Sequence, residues 1–194
     1  MNPILCLPPG YTEIFQIDLQ RNKKMAIRVN TLALLIAFGM AFCAAVLVPI
    51  STLFDFSQGI TVYLIKWGVL LVAMILYIIL HELVHGICMK YFSGTRVHYG
   101  FTGLYAYAAS EAFFYKKPYI LIALAPIVVW GMVLVIINCV VPQSWFWVIY
   151  LVQICNISGA AGDLYVICKL SRMPSDVLVQ DKGVSMIVYS RIGS

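Results

Sequence analysis

Four stretches of this chain are long and apolar enough to cross a lipid bilayer, and that leaves the backbone very few solutions. They cover residues 27–50, 60–91, 118–141 and 144–168. A crossing needs about 20 consecutive apolar residues. Inside lipid, every backbone N–H and C=O must find its partner within protein. Helices meet that demand segment by segment, so the expected fold is mainly α: a polytopic membrane protein with four transmembrane helices. Composition agrees, because 62% of the 194 residues are hydrophobic and 11% charged, whereas a soluble domain carries about a quarter charged residues. The length suits one membrane-embedded domain over residues 1–194, with an N-terminal segment 1–26 and a C-terminal tail 169–194 outside the lipid. No charged start followed by an apolar run precedes residue 27, so the first spanning helix is expected to stay in the mature protein. The second stretch exceeds the bilayer core and should tilt or project beyond it.

Charge sets the orientation. Four crossings put both termini on one side. That side collects Arg21, Lys23, Lys24 and Arg28, then Lys90, Arg96, Lys116 and Lys117, then Lys169, Arg172, Lys182 and Arg191; only Lys66 falls toward the other. The positive-inside rule assigns the basic side, and so both termini, to the cytoplasm. The net charge of +5 sits at helix ends and forms no long basic stripe, which argues against a nucleic-acid partner. The partners expected are the lipid bilayer and a membrane-protein or peptide substrate; oligomeric state stays open. The six cysteines form no CxxC pair, and four lie in apolar runs where a free Cys acts as a small hydrophobe.

The connection between the second and third helices, residues 93–117, is rich in Tyr and Phe and contains Gly94, Gly100 and Gly103. Leu104, Ala106 and Ala108 alternate with Tyr105 and Tyr107, a period-2 pattern that fits a β-hairpin or re-entrant element. An interfacial aromatic loop is the plainer alternative. Short terminal strands are expected at residues 11–19, 176–180 and 184–189, the last two flanking the turn Asp181-Lys182-Gly183. These could join as a small cytoplasmic sheet.

The last third of the second stretch reads His81-Glu82-Leu83-Val84-His85. Residues four apart share one helix face, so His81 and His85 can aim two imidazoles at one metal ion. Glu82 beside them can reach a water at that metal. This is the HExxH pattern, with two His ligands and Glu as general base. Three ionisable side chains at membrane depth each cost about 2–3 kcal/mol, so a chance occurrence is a poor explanation.

A catalytic zinc takes three protein ligands and keeps one position open. Asp163 lies six residues before Lys169, and His85 lies five before Lys90. Charge topology therefore sets Asp163 level with the two histidines. Glu111 and His98, both in the aromatic connection, are the competing ligands. Around Asp163 the run Ser158-Gly159-Ala160-Ala161-Gly162 is all small, which lets helices approach closely. Asn156, seven residues before Asp163, would share its face on a continuous helix. It could bond a substrate backbone or an oxyanion, or act as interhelical glue. Pro126 in the third stretch removes a backbone donor and should kink that helix; the kink could admit water, or be an ordinary membrane-helix proline.

On HELVHG at 81–86, ALAP at 123–126, N-x6-D at 156–163 and the entry YTEIFQIDLQRNKK at 11–24, the chain resembles a bacterial zincin peptidase family of small membrane proteins. More broadly it resembles the site-2 protease class of intramembrane zinc metalloproteases. The resemblance implies one Zn2+ held by His81, His85 and Asp163, Glu82 as catalytic base, and a bacterial cytoplasmic-membrane location. It also implies that residues around Tyr99–Ala109, with Tyr105 and Tyr107, position the substrate as an added strand. The site-2 class usually carries Asn-Pro-x-Pro ahead of the Asp and glycine after it. Here Ile157, Ser158 and Gly159 follow Asn156, and Leu164 follows Asp163. The function expected is a zinc-dependent endopeptidase hydrolysing peptide bonds near the cytoplasmic face. The alternative is a non-hydrolytic zinc-binding membrane scaffold or chaperone.

Overall fold

The computed structural model describes residues 4–191. The chain runs as β1 (Tyr11–Asp18), α1 (Lys23–Leu47), α2 (Ile60–Ser93), β2 (Val97–Phe101), β3 (Ala106–Ser110), β4 (Phe113–Tyr115), α3 (Lys116–Val140), α4 (Phe146–Gly159), α5 (Ala161–Ser171), β5 (Leu178–Asp181) and β6 (Ser185–Arg191). Among the described residues, four helical stretches are long and apolar enough to span a membrane: Lys23–Leu47, Ile60–Ser93, Lys116–Val140 and Gln143–Ser171. The helix ends follow from local chemistry. Asn22 caps α1 by accepting from the Met25 amide at 3.1 Å, so α1 begins four residues before the expected boundary. It ends at Leu47 because Pro49 disfavours helical backbone at Val48. Pro118 stands in the first turn of α3, where its missing N–H costs nothing. At 34 residues, α2 is about 51 Å long, well beyond the ~30 Å bilayer core.

The fourth stretch departs from expectation: it is two helices, not one. α4 stops at Gly159, Ala160 leaves the helical region at φ −82° and ψ 17°, and α5 starts at Ala161. Gly159 and Gly162 weaken the helix on both sides of the break, and Ala160 and Ala161 are buried at 1% exposure each. The break puts Asn156 and Asp163 on different helices, so their seven-residue spacing no longer sets them on one face.

The chain divides into two compact units. The first holds the residues through Val29, His81–Pro126 and those from Gly162 on. Its four-stranded antiparallel sheet has the order β1-β6-β5-β4, so the terminal strands are joined by β4, a strand from the middle connection. Met89 of α2, Tyr119 and Ile122 of α3, Leu170 of α5 and Val179 and Val188 of the sheet form its core. Lys116 Nζ donates to the carbonyls of Ser171 (3.3 Å) and Met173 (2.6 Å), which satisfies orphan groups at the end of α5. β2 and β3 pair antiparallel as a separate ribbon, Val97 opposite Ser110 through Phe101 opposite Ala106.

The second unit holds Asn30–Leu80 and Ile127–Ala161. Trp147, Val148 and Val152 of α4 meet Leu70 and Tyr77 of α2 and Leu134 of α3 in its core. Tyr77 Oη donates to Asn156 Oδ1 (3.0 Å), Asn156 Nδ2 donates to the Ile127 carbonyl (3.1 Å), and Trp130 Nε1 donates to the Leu80 carbonyl (3.3 Å). These bonds tie α2, α3 and α4 together within the unit.

Candidate metal centre

All the groups of the candidate centre belong to the first unit. α2 carries His81 and His85 one turn apart, their ring centroids 4.9 Å apart and the rings inclined at 76°. Asp163 stands in the first turn of α5. Its Oδ2 lies 3.5 Å from His81 Nε2 and 3.5 Å from His85 Nε2. The three ligand atoms all fall within 4.8 Å of one another. Donors bound tetrahedrally to zinc at 2.0–2.2 Å stand about 3.3–3.6 Å apart, which both Asp163–histidine separations match, so these residues fit a zinc ion. The chemistry of the set agrees, because three acceptors converging in a buried place call for a cation among them. Both histidines are buried, each 8% exposed.

The break at Ala160 gives α5 its own start, and a carboxylate suits the first turn of a helix electrostatically. Glu82, on the same turn as His81, faces the backbone amide of Ala108 in β3. His85 Nδ1 lies 3.0 Å from the carbonyl oxygen of Ile122 in α3. A carbonyl can only accept, so Nδ1 carries the proton and Nε2 is left for the centre.

Glu111 and His98 are not members of the convergent group. His98 lies exposed on β2 opposite Ala109, and Glu111 stands in the turn after β3, where its carbonyl accepts from Gln180 Nε2. Tyr107 lays its ring against Gly100 and Gly183, where a Cβ would collide with it; Gly183 also has φ +86°. Tyr105 closes the β2–β3 turn, its carbonyl accepting from the Thr102 amide at 2.9 Å. Asn156 sits in the second unit with both ends of its amide hydrogen-bonded there.

Three features beside the centre were not apparent from sequence. Gly86, next to His85, admits the side chain of Tyr99 so closely that a Cβ would collide with it; a lone glycine inside a helix is the signal for such an approach. The Ile122 carbonyl is a backbone group, signalled only by the proline four residues later. Asp181 accepts from Tyr119 Oη at 2.5 Å and from the Gly183 amide at 2.8 Å. Burial pushes its carboxyl up to about 6, against those two hydrogen bonds, which favour the charged form. In sequence it reads as an ordinary turn residue.

With this geometry in place, the comparisons define the class. The chain belongs to the family described as "Putative zincin peptidase", which matches residues 74–178 and so takes in the end of α2, α3, α4 and α5. It is also similar to the Pyrococcus woesei "Uncharacterized 24.7 kDa protein in gap 5'region", with 34% identity over 122 residues, 60% of this chain and 53% of that protein. The chain thus spans about half the length of that curated relative. No solved structure matches it. The family description fits the donor set, in which His81, His85 and Asp163 could hold a metal ion.

Proposed function

We propose that this protein is a membrane-embedded zinc endopeptidase in which His81, His85 and Asp163 hold one Zn2+ and Glu82 is the general base. The observation that carries the reading is the 3.5 Å approach of Asp163 Oδ2 to both imidazole Nε2 atoms, with Glu82 on the same helical turn. Zinc bound there would polarise a peptide carbonyl and bring the pKa of a water near 7. Glu82 takes the proton of the attacking water on its carboxylate and passes it to the leaving amine. Burial of the two histidines keeps bulk water from competing for their Nε2 lone pairs. β2 and β3 lie beside this turn, through Ala108 at Glu82 and Tyr99 at Gly86. An extended substrate adding to that ribbon would pass near Glu82, as in strand-addition binding of peptides and in the site-2 protease class that the chain resembles. The distribution of Lys and Arg supports cytoplasmic termini and cleavage near the cytoplasmic face of the membrane.

Metal removal tests this directly. Purified protein in detergent, given a library of membrane-derived peptides, should lose cleavage on chelation and regain it with one equivalent of zinc. Cleavage that persists in the metal-free protein would overturn the proposal.

A further inference from the structure

We infer that Pro126 is a positioning residue for the metal centre: by lacking an N–H, it frees the Ile122 carbonyl to receive His85 Nδ1–H and so fixes His85 with Nε2 toward the ligand cluster. In an α-helix the N–H of each residue bonds the carbonyl four positions earlier. Proline has no N–H, so Pro126 inside α3 leaves the Ile122 carbonyl without its helical partner. Ile122 is 1% exposed and Pro126 is fully buried, so bulk water does not reach that carbonyl. A buried carbonyl needs a donor, and His85 Nδ1 stands 3.0 Å away.

The same bond answers a need of the histidine. An imidazole with a mobile proton can bind metal through either nitrogen, in more than one ring orientation. A carbonyl acceptor at Nδ1 selects the Nδ1–H tautomer and holds the ring. Nε2, 3.5 Å from Asp163 Oδ2, is then the nitrogen that carries the lone pair. Pro126 touches no reacting atom and acts only through the backbone of α3. The proline thereby leaves one acceptor open, with no need for a kink that admits water.

This inference rests on the zinc reading proposed above, and the test separates the two. In Pro126→Ala the new amide competes for the Ile122 carbonyl. Its zinc dissociation constant, measured by chelator competition, should rise about tenfold with the stoichiometry unchanged. Pro118→Ala, in the first turn of the same helix, should bind zinc as the wild type does. A Pro126→Ala constant within about twofold of wild type would overturn the inference. A second measurement does not depend on Pro126→Ala folding. In the metal-free wild type labelled with 15N-histidine, neutral His85, assigned by its loss in His85→Ala, should be protonated at Nδ1. Neutral histidine in water favours Nε2–H, so finding that form at His85 would equally overturn the inference. A wild type that binds no zinc defeats the zinc proposal, and the tautomer alone then decides the role of Pro126.

Discussion

Glu82→Gln should lower peptide hydrolysis by about 10³-fold, the middle of the range that positioned acid–base groups contribute, and leave zinc content at the wild-type level. Gln keeps the length and hydrogen-bonding reach of Glu but cannot accept a proton at neutral pH. Glu82 lies outside the convergent ligand set, so its replacement leaves His81, His85 and Asp163 in place. The two outcomes separate an enzyme from a zinc-binding scaffold. A scaffold carrying the same ion would work unchanged in the Glu82→Gln variant, whereas a peptidase would bind the ion and stop turning over. The measurement pairs initial cleavage rates with metal analysis on the same preparation. An unchanged rate would remove Glu82 from the chemistry.

His81→Ala and Asp163→Ala should each weaken zinc binding by more than about 100-fold, the upper end of what loss of a group supporting a ligand costs. A ligand contributes its own bond to the metal, so its loss must exceed that range. Folding stability reports the same event. Zinc at about 100 times its dissociation constant stabilises a folded protein that alone binds it by about 2.7 kcal/mol. The wild type should show that increment in detergent on adding zinc, and both variants should lose it. Without zinc, the variants should unfold close to the metal-free wild type, because the cores of both units lie in other residues. An increment retained by Asp163→Ala would turn attention to another third ligand.

The legible part of this protein is the part written in local chemistry. Hydropathy marks the four long helical stretches because apolar runs of that length, able to span a bilayer, satisfy their backbone within a helix. The facing of His81 and His85 follows from four-residue spacing alone. Asp163 is reachable from sequence only because the basic residues that close the second and fourth apolar stretches, Lys90 and Lys169, give the two a common reference. The break at Ala160 is not legible. Ser158-Gly159-Ala160-Ala161-Gly162 reads equally as close packing or as a helix end, and burial in the fold decides between them. β4 stays hidden because Phe113–Tyr115 is too short to show a period of two. The Ile122 carbonyl stays hidden because metal-site patterns are written in side chains, and its owner is an isoleucine. Tyr119 and Asp181 are 62 residues apart in sequence, and nothing in either neighbourhood announces the other.

A structure of the zinc-loaded protein, with anomalous scattering recorded at the zinc edge, bears most directly on the centre. The expected result is one peak about 2.0–2.2 Å from His81 Nε2, His85 Nε2 and a carboxylate oxygen of Asp163, with one position left open toward Glu82. A peak held by Glu111 or His98 in place of Asp163, or no peak between the two histidines, would contradict it.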